Sequence, residues 1–147
     1  MQKYAREVMT PNPACCTPTT TLDQIAKMMI QNDCGEIPVV DTKDCIIGVV
    51  TDRDIVCRVV AEGKNPMAYT AETCMSQPVV TVNEDASLDE VVVTMEKHQI
   101  RRVPVVDARG VCTASSRRLM SRGWAPSRRS PTWSEKCHAT LHASHAD

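Results

Sequence analysis

A gapless offset of 66 residues superposes residues 9–41 on residues 75–107, so the chain carries two copies of one unit. Met9 matches Met75, Leu22-Asp23 matches Leu88-Asp89, Met29 matches Met95, and Pro38-Val39-Val40-Asp41 matches Pro104-Val105-Val106-Asp107. Similar residues pair between these: Thr10 with Ser76, Thr21 with Ser87, Ile25 with Val91, Ile37 with Val103. A unit this small cannot bury a sheet face and a helix stripe alone. The copies are therefore expected to pack on each other about a pseudo-twofold axis. A length of 147 residues leaves room for that pair and excludes a large multidomain enzyme.

Each copy opens with a short extended segment, 14–17 or 79–82, and continues into a helix. Thr21 with Gln24, and Ser87 with Glu90, have the capping-box spacing that satisfies free backbone N–H groups at a helix start. Leu22, Ile25, Ala26, Met28 and Met29, like Leu88, Val91, Val92 and Met95, recur at helical spacing and define one buried face. Apolar strands follow at 37–40 and 103–106. In the first copy the turn Asp41-Thr42-Lys43-Asp44 leads to a second strand at 46–50, and a helix runs from about Asp52 to Glu62. Gly63 stops that helix, and Asn65-Pro66 begins a linker. The order strand, helix, strand, strand, helix predicts an α/β (α+β) fold of two β-α-β-β-α units. Aromatics are only 3% of the chain and Phe is absent, so both cores must be built from Val, Ile, Leu, Met and Ala.

The segment Gly48-Val49-Val50-Thr51-Asp52-Arg53-Asp54 carries the chemistry. A strand that ends at Thr51 and passes directly into a helix puts a hydroxyl and free N–H groups where an anion is favoured. Asp54, one helical step on, can accept both hydroxyls of a ribose. The same residues also fit a plain helix cap and a first-turn acid opposing the helix dipole, so both readings stand at this point.

This segment resembles the Gly-hydrophobic-hydrophobic-Thr-x-x-Asp signature of CBS domains. Met-Thr-Pro-Asn-Pro at 9–13, Arg-Arg-Val-Pro-Val-Val-Asp at 101–107 and the repeat extend the resemblance over residues 8 to about 110. The whole is similar to a bacterial stand-alone tandem CBS protein, or Bateman module. The resemblance implies a non-catalytic regulatory module that binds an adenine nucleotide (AMP, ADP, ATP or S-adenosylmethionine) between the repeats. It also implies a homodimer and an effector protein that the sequence does not identify. The implied site sets Val49, Thr51 and Asp54 against Thr81, Ala86, Ile100, Arg101 and Arg102 of the other copy. Arg101 and Arg102 match phosphate geometry, and each is equally compatible with a solvated edge charge.

The second copy departs from the pattern. The offset places its signature at 114–120, where the chain reads Ala-Ser-Ser-Arg-Arg-Leu-Met. The expected division is therefore a first repeat at 1–66, a second at 67–110 that is incomplete at its C-terminal end, and an atypical basic tail at 111–147. Loss of a core strand is expected to expose the apolar face of residues 103–106, and the tail is expected to be disordered or irregularly packed. One functional nucleotide site is expected at most, because the cleft near Cys15, Cys34 and Gly35 lacks its ribose ligand.

Other functions find less support. No apolar run approaches a membrane span and no secretory signal is evident, so a cytoplasmic location is expected. Eight cysteines without Cys-x-x-Cys spacing read as small buried hydrophobes in a reducing compartment. A net charge of -1 draws the chain to no polyanion overall. Nucleic-acid binding by the tail, through Arg117, Arg118, Arg122, Arg128 and Arg129, is the alternative function. It has only Trp124 and Trp133 to interleave, and Cys137, His138, His142 and His145 fit no familiar zinc spacing. No nucleophile set, P-loop or dinucleotide fingerprint supports an enzyme. The tail's composition points to translation out of the ancestral frame: with serine TCN codons, a shifted frame reads residues 113–120 as Gly-Ile-Val-Ser-Gln-Ala-Asp. The gene's nucleotide sequence tests this, and a locus with no shifted Gly-hydrophobic-hydrophobic-Ser/Thr-x-x-Asp element refutes it.

Overall fold

A computed structural model describes residues 1–115. The elements are α1 (Ala5–Val8), β1 (Thr10–Pro11), α2 (Leu22–Gln31), β2 (Glu36–Val40), β3 (Ile46–Thr51), α3 (Asp52–Ile55), α4 (Ala71–Cys74), β4 (Val82–Asn83), α5 (Leu88–His98), β5 (Pro104–Val106) and β6 (Cys112–Ser115). A π-helical turn, Val56–Val60, continues α3, and Gly63 follows in the left-handed region at φ +69°.

The repeat in sequence is a repeat in backbone. Asp41 Oδ1 accepts N–H bonds from Lys43 and Cys45, and Asp107 Oδ1 accepts them from Arg109 and Val111. Positive φ angles occur at Asp33 and Gln99, one pair of equivalent positions, and at Asp44 and Gly110, another. The helices start differently. Ser87 accepts from the Glu90 N–H, half of the box its spacing predicts, whereas Thr21 makes no such bond. Its hydroxyl is engaged by Asp23, two residues on, which removes it from the backbone.

Each half-sheet is completed by the other copy. β1 pairs antiparallel with β6, which pairs with β5, which pairs in parallel with β4. In the first copy Ser76 bridges antiparallel to Val49 of β3, β3 pairs with β2, and Cys16 bridges in parallel to Val39 of β2. The leading segments follow their strands. Ala5 and Met9 lie in one core with Val82, Ala86, Val91, Met95, Val103 and Val105. Ala71 and Cys74 lie in the other with Leu22, Ile25, Ile37, Val39 and Val50. Sequence order and core membership thus cross, and residues before Pro11 and around 69–76 belong to the opposite core.

Two expectations change. The second copy keeps its closing strand: β6 pairs with β5, and Val103 and Val105 are buried, so the apolar face expected to be bare is covered. Ladder bonds depend on the backbone, so Cys112-Thr113-Ala114-Ser115 serves although its side chains have left the pattern. Of the seven described cysteines only Cys16 and Cys74 are buried, and Cys57 is exposed, so burial explains a minority.

Gly48 is required where the exchanged segment crosses β3. A Cβ there would lie 2.5 Å from Met75 Sδ and 3.0 Å from its Cγ. Gly48→Ala should cost about 1–3 kcal/mol in urea unfolding, with a smaller penalty in a Met75→Ala background where the colliding group is gone.

Candidate functional site

β3 delivers Thr51 to the first turn of α3, and the two halves of a capping box close there. Thr51 Oγ1 accepts from the Asp54 N–H at 3.1 Å, and Asp54 Oδ2 accepts from the Thr51 N–H at 3.1 Å. The cap therefore positions the carboxylate. Ser76 Oγ, on the exchanged segment, donates to Asp54 Oδ2 at 3.3 Å, and Arg58 Nη2 stands 3.8 Å from Oδ1. Arg58 Nη1 also donates to the carbonyl oxygen of Cys74 at 3.0 Å, tying α3's continuation to α4. At the opposite end of β3, a cavity of about 530 Å³ is lined by Ile46, Ile47, Gln77, Val79, Thr81 and Val106, among others.

Not all the expected residues meet. Val49, Thr51 and Asp54 lie along β3 and α3, and Thr81 lies in the cavity wall at the far end of β3. Arg102 reaches the start of α3: a Cβ on Gly35 would be 2.6 Å from its Nη1 and 2.7 Å from Asp52 Oδ2. The missing side chain at Gly35 is what admits both groups. Ala86 is 7% exposed, within the second core, so its methyl group faces packing rather than a cleft. Ile100 packs against the same core, and Arg101 is exposed. Arg117, Arg118, Arg122, Trp124, Arg128, Arg129, Trp133, Cys137, His138, His142 and His145 lie outside the described residues.

Glu36, Ser76 and Gln77 were not among the expected site residues. Ser76 approaches Asp54, and Gln77 Nε2 donates to the Ile47 carbonyl oxygen at 2.8 Å. A signal for Glu36 was present: the offset pairs it with Arg102, and it is a charge heading a fully buried strand. Glu36 stands opposite Thr51 in the β2–β3 ladder, and its Oε1 is buried without a hydrogen-bond partner.

Burial raises the Glu36 carboxyl to about 7, helped by the Asp54 charge and opposed by the Arg102 guanidinium. Its folded value exceeds its unfolded one, so between about 4.5 and 7 the folded state holds the extra proton and stability falls as pH rises. The full effect is about 3 kcal/mol, present below the unfolded value and lost above the folded one. Urea unfolding from pH 4.5 to 8 should show this decline, and Glu36→Gln, which stays neutral, should lose that part of the slope.

The CBS domain family profile matches residues 5–61 and 71–113. An uncharacterised protein of Methanopyrus kandleri, MK0525, is 45% identical over 64% of this chain, which spans 48% of that relative's length. Hypoxic response protein 1 of Mycobacterium tuberculosis is 36% identical over 69% of this chain and 71% of its own. A crystal structure of Hypoxic Response Protein I with two coordinated zinc ions superposes with a TM-score of 0.70, 33% identity, and coverage of 77% of this chain and 91% of that one. Among the described residues here, no three His, Cys, Asp or Glu side chains gather as a metal site. The CBS domain pair of MJ0100, in complex with 5'-methylthioadenosine and S-adenosyl-L-methionine, superposes with a TM-score of 0.72, 26% identity, and coverage of 79% and 90%. Among the described residues no helix is long and apolar enough to cross a membrane. With a profile matched in both copies and two interlocked half-sheets that superpose on known pairs, the chain belongs to the CBS domain family as a tandem repeat.

Proposed function

We propose that this chain is a non-catalytic regulatory module that takes one adenine nucleotide or adenosine derivative along β3, between the two repeats. The observation that carries this reading is the capped Asp54 carboxylate, held 14% exposed at one end of β3, with the cavity containing Thr81 at the other. Asp54 holds the ribose hydroxyls, Val49 and Thr51 supply the intervening strand, and the apolar wall at Ile47 and Val79 receives the base. Arg102 borders the open space at Gly35 that Asp52 also borders, and it is the guanidinium offered to a phosphate. MJ0100, whose CBS pair holds adenosine derivatives, supports the ligand class.

The geometry supplies a route to a signal. Ser76 reaches Asp54 from the segment that completes the first half-sheet. A ribose at Asp54 displaces that hydroxyl and so loosens one tie between the copies. Ligand energy is thereby spent on the relative placement of the repeats, as regulation requires. Exposed Ile30, Val56, Val60 and Val93 are the apolar side chains a second copy or an effector would cover.

Calorimetry on the full chain with AMP, ATP and S-adenosylmethionine tests the reading. One of them should bind with a stoichiometry of one, and Asp54→Ala should weaken it about 10- to 100-fold, the worth of hydrogen bonds to a charged acceptor. Equal binding by both proteins would remove Asp54 from the site. Binding of none would end the ligand reading.

A further inference from the structure

Cys15 and Cys112 take no part in the cleft built on Asp54, yet the fold brings them together from different repeats. In the β1–β6 ladder Thr10 faces Ser115 and Pro11 faces Ala114, and the Asn12 N–H donates to the Thr113 carbonyl oxygen at 3.1 Å. One further step sets Pro13 beside Cys112, and Cys15 Sγ donates to the Pro13 carbonyl oxygen at 3.4 Å. Pseudo-symmetry leads to the same place. The 66-residue offset maps Cys15 onto Thr81 and Cys112 onto Ile46, and those two line one cavity. Cys112 Sγ points to the Ala114 carbonyl oxygen at 3.8 Å, the two thiols are near enough to perturb each other's protonation, and both residues are partly exposed, open to a small oxidant.

We propose that Cys15 and Cys112 are a thiol modification site that forms a reversible disulfide bridging the two repeats across the second cleft. The oxidant is a small disulfide of the glutathione class. The Cys15 thiolate attacks one sulfur of oxidised glutathione, whose S–S bond breaks to expel a glutathione thiolate. Cys112 then gives up its proton and attacks Cys15 Sγ, expelling the second glutathione thiolate. One S–S bond replaces another, and the two electrons and two protons from the protein thiols end on two reduced glutathiones. The proximity of Cys112 lowers the Cys15 thiol, outweighing its burial and the Asp44 charge, while the same proximity and burial raise Cys112. This assigns Cys15 the attacking role. Neighbouring Cys16 is 4% exposed and burial pushes its thiol up to about 12, so it stays inert.

The inference is independent of the ligand reading, and so is its test. The full chain is incubated with oxidised glutathione, trapped with N-ethylmaleimide, digested without reduction and mapped by mass spectrometry. The expected product is a peptide linked through Cys15 and Cys112, with Cys15 consumed about tenfold faster than exposed Cys57. In Cys112→Ser the glutathione should remain on Cys15, and in Cys16→Ser the link should persist, with unchanged melting temperatures showing both variants folded. The proposal is overturned if Cys15 stays alkylatable at the level of the untreated protein, or if it pairs with any other cysteine.

Discussion

The exchange of leading strands between the two copies is the constraint on which the rest of this structure depends. A strand left at a sheet edge presents unpaired N–H and C=O groups, and each half-sheet here would end in one. β1 covers β6 and Ser76 covers β3, so each copy supplies what the other lacks. The arrangement also distributes the cores, because α1 and α4 follow their strands and bury Ala5 and Ala71 in the opposite unit. Neither half closes its own core.

The candidate site follows from that crossing. Gly48 stands where Met75 passes, and the segment that passes carries Ser76 to Asp54. A signature glycine and a signature aspartate are thus linked through an element from the other repeat. On the facing side Arg102 and Asp52 share the space left open at Gly35, and Glu36 keeps a buried oxygen without a hydrogen-bond partner. A buried polar oxygen in this condition costs stability, which the raised Glu36 carboxyl relieves by staying protonated.

The duplication, the element order and the Thr51–Asp54 constellation were legible in the chain itself, because each rests on local spacing: the 66-residue offset, the 3.6-residue period of α2 and α5, and the three-residue reach of a capping box. Local chemistry also misled. Thr21 has the cap spacing but gives its hydroxyl to Asp23, and Cys112-Thr113-Ala114-Ser115 lacks the signature but keeps the strand. In the first case a nearer acceptor won, and in the second the backbone sufficed without the side chains.

What the sequence determined alone was the repeat, the helices α2 and α5, the strands β2, β3 and β5, and the carboxylate that a capped turn presents. Only the tertiary structure decided that the leading segments change partners, that Ala86 is buried in a core, that Glu36 stands opposite Thr51 and Ser76 reaches Asp54, and that Cys15 and Cys112 come from different repeats to one region. The reason is the range of the forces involved. Hydrophobic period and capping act within a turn or two of chain, whereas edge pairing and charge burial act between residues tens of positions apart, whose proximity exists only once both copies have folded around each other.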